Sequence, residues 1–237
     1  MVLEKKDFIE VEFTGKIKDG GVFDSNIKKD LEKLHEGHDH PIETKPFIFP
    51  LGEGMFVKGV DKFLLGKEVG EYDIPLSPED AFGKRDPKEI RTIPIKSFED
   101  HNLNPIPGSV FNFDGRFAKV LTVSGGRVMV DFNNPLAGKN VKYNIKVLRK
   151  VEDINEKVKS LNEFFFRADF DFKVEEKKLI LKVPKGMEKL AEIFRGKYKE
   201  LLGLELEVKE VESSKPEDQK IEVKKPEKKK KETEVKK

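Results

Sequence analysis

Apolar and polar side chains alternate in several short segments of this chain, and a two-residue period predicts β-strands with one buried face. The Lys-Asp-Gly-Gly sequence after the first segment predicts a turn. Between two of the segments, residues 57–64 carry apolar side chains at helical spacing, and Gly66 predicts the end of that helix. We therefore predict a twisted antiparallel sheet wrapped on a short helix. The alternating segments are residues 8–17, 46–50, 72–76 and 141–147.

Two further regions have patterns of their own. Residues 88–132 contain short alternating segments divided by Pro-Gly, Asp-Gly and Gly-Gly pairs, which predicts a small antiparallel β insert domain. Residues 153–212 contain a helical stripe, a hairpin pattern, a second helical segment that ends at Gly203 and a last alternating segment, which predicts an αββαβ C-terminal domain. Residues 213–237 have too few apolar side chains to fold, and we expect a charged disordered tail. The predicted fold class is α+β.

The composition excludes several kinds of site and partner. The chain contains no cysteine, which rules out disulfides, cysteine-based zinc sites and a thiol nucleophile. The net charge is +2, and residues 215–237 hold ten lysines against six acidic residues. The rest of the chain therefore carries a net charge of −2. Because a nucleic-acid-binding surface is usually basic, we expect no nucleic-acid partner. The N-terminal residues have no apolar signal core, and no segment has the length and apolarity of a membrane span. We therefore expect a cytoplasmic protein without membrane contact.

Two short motifs suggest other kinds of binding site. Residues 54–59 have the glycine spacing of a phosphate-binding loop, but Val60 and Asp61 follow where Lys and Ser or Thr are needed, so we expect no nucleotide site. Three histidines in a polar loop have side chains suited to a divalent metal. No second group of ligands is near them in the sequence, which favours a solvated loop and no metal site. These histidines are His35, His38 and His40.

Several separated segments, in the same order, resemble the core of FKBP-type peptidyl-prolyl cis/trans isomerases. Residues 88–132 lie where SlyD-like members of that family carry an insert-in-flap chaperone domain, and the C-terminal domain resembles the long-chain archaeal branch by its layout. The resemblance implies an isomerase domain made of residues 1–87 and 133–152. The matching segments are VEFTGKIKDGGVFDSN (11–26), KPFIFPLGEGMFVKGVDKFLLGKEVGE (45–71), PEDAFGKRDP (78–87) and FNNPLAGKNVKYNIKV (132–147).

The resemblance also implies which residues form the site. Asp24 matches the family carboxylate, and the backbone N–H of Val57 would hold the substrate chain. Phe13 and Phe82 stand where many members have Tyr, and Val60 stands where some have Trp, so hydroxyl hydrogen bonds are lost and the pocket floor is smaller. The implied catalytic residues are Asp24, Val57, Phe82, Tyr143 and Phe13, and the implied proline-binding residues are Phe23, Phe47, Phe56 and Val60.

The insert domain has more apolar side chains than so small a unit can bury, and an exposed apolar patch predicts a binding surface. We therefore add Phe111, Phe113, Phe117 and Met129 as substrate-binding candidates.

Three functional hypotheses remain open. The first is an isomerase with chaperone activity on unfolded or nascent polypeptides, which needs no cofactor because an apolar cleft stabilises the twisted peptide bond without a covalent step. The second is a holdase chaperone with weak isomerase activity, and the third is a metal-binding module that uses the loop histidines. A small C-terminal sheet with an unpaired edge also predicts a homodimer.

Overall fold

The computed structural model describes residues 1–34 and 44–211. The three loop histidines and the predicted tail at 213–237 lie outside the described residues. No helix in the two described ranges is long and apolar enough to cross a membrane.

The strands are β1 (Phe8–Ile17), β2 (Val22–Ser25), β3 (Phe47–Pro50), β4 (Glu71–Leu76), β5 (Ile90–Pro94), β6 (Val110–Phe113), β7 (Arg116–Ser124), β8 (Arg127–Asp131), β9 (Val141–Lys150), β10 (Phe172–Glu175), β11 (Lys178–Pro184) and β12 (Glu205–Val211). The helices are α1 (Lys28–Leu34), α2 (Lys58–Leu64), α3 (Ile95–Glu99), α4 (Ile154–Phe166), α5 (Glu188–Ile193) and α6 (Arg195–Leu202).

Strand β1 is the centre of a five-stranded antiparallel sheet. It pairs with β2, β3 and β9, and β9 pairs with β4. The inward side chains, such as Ile9 on β1 and Ile145 on β9, pack with Val60 of α2, and all three are fully buried. Helix α2 ends just before Gly66, whose φ of +78° is a conformation that glycine adopts without a steric penalty. The predicted antiparallel sheet on a short helix is confirmed.

Strands β5 to β8 form a separate four-stranded antiparallel sheet in the order β5-β8-β7-β6. Its core is centred on Phe98 of α3, which is 1% exposed and contacts the rings of Phe111 and Phe113 edge-on. The sequence pattern did not predict α3, because a helix of five residues is too short to show a helical period. The predicted β insert is confirmed, with this short helix added.

The C-terminal sheet combines two kinds of strand pairing. Strands β10 and β11 form an antiparallel hairpin, whereas β11 and β12 are parallel. A parallel pair needs a crossover connection, which α5 and α6 supply. The sequence predicted one helix here, but the backbone of Phe194, with φ −90° and ψ 0°, interrupts it. The αββαβ order is confirmed, with the second helix split in two.

The chain divides into two compact units. Within the described residues, the first contains residues 1–34, 44–169 and 200–203, and the second contains residues 170–199 and 204–211. Helix α4 therefore belongs to the first unit, where it packs against β3. The sequence-based boundary at residue 153 would assign α4 to the C-terminal domain, and the functional division of the chain into domains stays a prediction.

Candidate active site

Aromatic side chains from separate strands meet around Phe56, which lies in the segment before α2. Its ring centroid is 4.9 Å from that of Phe13 on β1, 5.5 Å from that of Tyr143 on β9 and 6.0 Å from that of Phe47 on β3. Edge-to-face and tilted contacts of this kind add to the free energy of apolar burial. The predicted residues Phe13, Phe47, Phe56 and Tyr143 therefore form one aromatic cluster.

Two more predicted aromatic residues extend this cluster. The ring of Phe23 on β2 meets Tyr143 edge-on at 5.7 Å and Phe82 edge-on at 5.6 Å. Phe82 follows a short 3₁₀ turn at Pro78–Asp80, which directs the chain back toward the sheet. Val60 of α2 is fully buried in the same apolar core. The fold thus brings all six predicted rings and Val60 into one continuous cluster.

Val57 is the residue immediately before α2 and has an extended backbone, with φ −67° and ψ 128°. Its carbonyl oxygen accepts hydrogen bonds from the N–H groups of Val60 and Asp61 in the first turn of the helix. Within residues 1–34 and 44–211, the N–H of Val57 itself has no hydrogen-bond acceptor. This donor is therefore available to the carbonyl group of a bound peptide.

Asp24 supplies the one predicted carboxylate, and it lies at the exposed end of the cluster. Partial burial raises the pKa of Asp24, and a hydrogen bond from the backbone N–H of Ser25 offsets part of this effect. Burial also raises the pKa of Tyr143, and the nearby charge of Asp24 acts in the same direction. Tyr143 is therefore a neutral phenol at physiological pH.

The sequence analysis missed two polar residues that hold Asp24 in place. The side-chain oxygen of Asn26 accepts a 2.7 Å hydrogen bond from the N–H of Phe13, and its amide nitrogen donates at 2.9 Å to the carbonyl of Val11. The hydroxyl of Ser25 donates at 3.0 Å to the carbonyl of Phe13. Both residues directly follow Asp24 in the sequence, and their position next to it could have identified them as part of the site.

A buried carboxylate supports the segment that carries Phe56. Asp61 in α2 is 5% exposed, and its side chain accepts a 3.1 Å hydrogen bond from the N–H of Gly54. Burial raises the pKa of Asp61, while hydrogen bonds from the N–H groups of Gly52 and Gly54 act against this rise. Sequence patterning gave no sign of this role, because a charged residue in a short helix is usually solvated.

A cavity of about 600 Å³ opens beside the aromatic cluster. Phe13, Asp24, Phe47 and Phe56 line it, whereas the other predicted proline-site residues pack behind or beside these four. The opposite wall is a face of helix α4, which the sequence analysis did not associate with the site. The cavity is large enough for several residues of an extended peptide.

The four candidates on the insert lie on two different faces of its sheet. Phe111 and Phe113 are half-buried against Phe98 in the core of the insert. Phe117 and Met129 point from the other face and are 68% and 40% exposed. The structure therefore does not bring these four side chains together, and only the second pair is accessible to a large partner.

The aromatic cluster and its cavity suit non-covalent recognition of a small apolar group. In the part of the chain that the structure describes, no group of three His, Cys, Asp or Glu side chains has the arrangement of a metal site. Asp24 is one carboxylate of the cavity lining, and the N–H of Val57 has no acceptor among the described residues. An apolar pocket with a carboxylate and a backbone donor can orient a peptide and stabilise a less polar, twisted amide.

Family profiles match two parts of the chain. A profile described as "FKBP-type peptidyl-prolyl cis-trans isomerase" matches residues 2–98, and one described as "FKBP26, IF domain" matches residues 91–136. The first range contains the cluster residues on β1, β2 and β3 and those around α2. The second covers most of the insert sheet.

Curated relatives agree with these profiles. A short-type peptidyl-prolyl cis-trans isomerase of Methanocaldococcus jannaschii is 33% identical over 147 residues, which is 62% of this chain and 92% of that protein. The SlyD isomerase of Helicobacter pylori is 31% identical over 46% of this chain and 62% of its own length. An FKBP-type 16 kDa isomerase of Escherichia coli is 34% identical over 44% of this chain and 73% of its own length. With this degree of identity over nearly all of the archaeal relative, the chain belongs to the FKBP-type peptidyl-prolyl cis-trans isomerases and carries an insert domain of the FKBP26 kind.

Proposed function

We propose that this isomerase acts in the cytoplasm on X-Pro bonds of unfolded or nascent polypeptides, and that it binds the proline ring in the aromatic cavity beside Asp24. The observation that carries the proposal is the meeting of the Phe56 ring with those of Phe13 and Tyr143 beside a cavity that Asp24 also lines. A concave apolar site with a few polar groups suits a proline ring attached to a polar backbone.

The mechanism needs only differential binding. The barrier to rotation about an X-Pro bond is about 18–20 kcal/mol and arises from amide resonance. At the transition state this resonance is lost and the amide dipole is smaller, so aromatic surroundings favour the twisted form over the planar one. The N–H of Val57 would fix the peptide chain while the bond rotates. Each residue contributes a part of the effect, because no covalent bond is made or broken.

The site assignment can be tested with a short peptide that contains one X-Pro bond. NMR exchange spectroscopy should show kcat/KM several-fold lower for Asp24→Leu and for the Val57→Ala/Phe82→Ala double variant, with native circular dichroism. Asp19→Leu removes a carboxylate from the turn after β1 and serves as the matched control. Unchanged exchange rates in all the site variants would contradict the assignment of these residues to the isomerase site.

The outer face of the insert supports a chaperone role. Val110, Phe117 and Met129 are 59%, 68% and 40% exposed, and a group of exposed apolar side chains on one face suits a binding surface. A second cavity of about 510 Å³ adjoins this face and is lined by Phe117, Leu121 and Pro135 among others. We infer that this face holds unfolded segments of a client while its prolines reach the isomerase site.

The Phe117→Ser/Met129→Ser variant separates the two activities. It should turn over a short peptide at the wild-type rate, but it should be several-fold slower in proline-limited refolding of a whole protein and weaker in suppressing aggregation. Lys96→Ser/Asp100→Ser changes two exposed polar residues of the same insert and is the control. If the wild-type chain suppresses aggregation but leaves peptide exchange at the uncatalysed rate, the holdase alternative replaces this proposal.

A second proposal is that two copies of the chain associate through the C-terminal unit. Strands β10 and β12 are both edges of a three-stranded sheet, and edges of this kind pair readily with another strand. On α5, Leu190 and Ile193 are 42% and 73% exposed. Light scattering should give a dimer for the full chain and a smaller mass for Ile193→Asp. A monomeric wild type at high micromolar concentration would rule the dimer out.

A further inference from the structure

One face of helix α4 forms a wall of the cavity that contains Asp24 and Phe56. The side chains on this face recur at spacings of three and four residues, as expected for one stripe of a helix. Val158 and Leu161, on the opposite stripe, are fully buried. The helix therefore presents a continuous stripe to the cavity while its other face anchors it. The stripe consists of Glu156, Lys159, Ser160, Glu163 and Phe164, and Arg167, the first residue after the helix, lines the same cavity.

Ion pairs fix this wall and offset part of its acidic charge. Arg149 on β9 binds Glu10 at 2.5 Å and Glu156 at 2.8 Å. Lys45 binds Glu163 at 2.5 Å. Lys45 balances the charge of Glu163, whereas Glu10 and Glu156 share one arginine, so these three residues together keep a charge of −1.

Two cations of this wall have no acidic partner among the described residues. Lys159 and Arg167 are exposed, and neither forms an ion pair with any residue that the structure describes. Phe164, between them in the stripe, is 42% exposed. Asp24 lies on the other wall, beside the aromatic cluster. Among the described residues, the α4 wall therefore carries two cations without an acidic partner, and the carboxylate of Asp24 lies beside the aromatic rings.

We propose that α4 is a specificity element of the isomerase site and selects polypeptides that carry an acidic side chain a few residues from the proline, on one side of it. The inference rests on the proposed function, because the proline must sit beside Asp24. A Glu or Asp that reaches Lys159 and Arg167 gains two favourable charge interactions, whereas an acidic residue at the other end of the cavity meets Asp24. A negative charge on the peptide therefore strengthens its binding on one side of the proline only.

The test uses the full-length protein and a set of peptides with one X-Pro bond, each with Glu or Gln at one position from four before to four after the proline. NMR exchange should give a kcat/KM about two- to fivefold higher for Glu than for Gln at neighbouring positions on one flank only, as expected for a solvent-accessible ion pair. The higher kcat/KM should come from a lower KM, because the ion pair with the peptide is equally strong in the ground state and in the transition state. Salt at about 1 M should reduce this advantage of Glu over Gln.

Variants of Lys159 and Arg167 test whether these two cations cause the preference for acidic peptides. Lys159→Gln/Arg167→Gln should remove it, and Lys159→Glu/Arg167→Glu should convert it into a preference for Lys over Gln at the same positions. Lys96→Gln/Lys146→Gln removes two exposed lysines outside the cavity and should leave it intact. Equal rates for Glu and Gln peptides, or a preference that survives in the helix variants, overturn the inference alone. A Gln peptide that the wild-type protein does not isomerise overturns the proposed function and the inference together.

Discussion

The ring of Phe56 meets the ring of Phe13 edge-on, with centroids 4.9 Å apart and an interplanar angle of 71°. This contact joins the segment before α2 to the central strand β1. Phe56 also stacks on Phe49 at 5.3 Å, so one side chain ties the cavity wall to the buried core. The packing of the site and the stability of the sheet are therefore coupled at this residue.

Phe56→Ala should lower both stability and activity. Truncation of a buried Phe to Ala costs about 3–5 kcal/mol, and a half-buried ring such as Phe56 should cost less, about 2–3 kcal/mol of the free energy of unfolding. Loss of the ring also opens the pocket to water, so kcat/KM for a short X-Pro peptide should fall. Urea unfolding and peptide exchange measure the two effects. Full activity at wild-type stability would contradict the central position of Phe56.

Gly15→Ala should impair the site without removing any cluster residue. A Cβ at Gly15 would lie 2.8 Å from Cζ of Phe23 and 3.0 Å from Cε1 of Tyr143, both too close. The ring of Phe23 must then move, and with it the edge-on contacts that shape the pocket. We expect a several-fold lower kcat/KM in peptide exchange.

Gly21→Ala is the matched control for this change, because a Cβ at Gly21 meets nothing within 4 Å. It should retain wild-type peptide exchange. Equal rates for the two alanine variants would mean that the position of the Phe23 ring does not limit catalysis.

Asp24→Asn should gain stability and lose activity at neutral pH. Burial raises the pKa of Asp24, so the folded chain holds this proton more tightly than the unfolded chain. Ionisation of Asp24 then lowers stability as the pH rises from the ordinary aspartate pKa of about 3.9 through the raised value. The variant should therefore unfold at a higher temperature than wild type at pH 7, and the difference should shrink as the pH falls toward 4. A variant less stable than wild type at pH 7 would contradict this sign.

Phe98→Ala should unfold the insert and spare the isomerase sheet. Phe98 is 1% exposed and is the central ring of a small core, so its truncation should cost about 3–5 kcal/mol. A unit this small has little stability to lose. Hydrogen exchange should become fast at residues 90–131 while β1 and β9 stay protected, and short-peptide exchange should continue. Retained protection in the insert would show that its core does not depend on Phe98.

Most of the fold was predictable because strands with one buried face leave a two-residue pattern in the sequence. The segments at β1 and β9 show it clearly, and each buries alternate side chains. The order of the short motifs then led to the aromatic residues and to Asp24, which we propose for the site. These features are local in the chain, so residue spacing is enough to find them. The split of α5 from α6 was not predictable, since a change in backbone angle at Phe194 leaves no mark in the apolar pattern.

Alternation alone predicted strands in the insert, but it did not say which side of the sheet would be covered. Helix α3 covers the face of Phe111 and Phe113, and Phe117 is left exposed on the other. The place of α4 was likewise decided by tertiary structure. Its cavity wall is held by ion pairs such as that between Lys45 and Glu163, which lie far apart in the chain. Strands follow from the local order of side chains, whereas a cavity wall exists only when distant segments pack together.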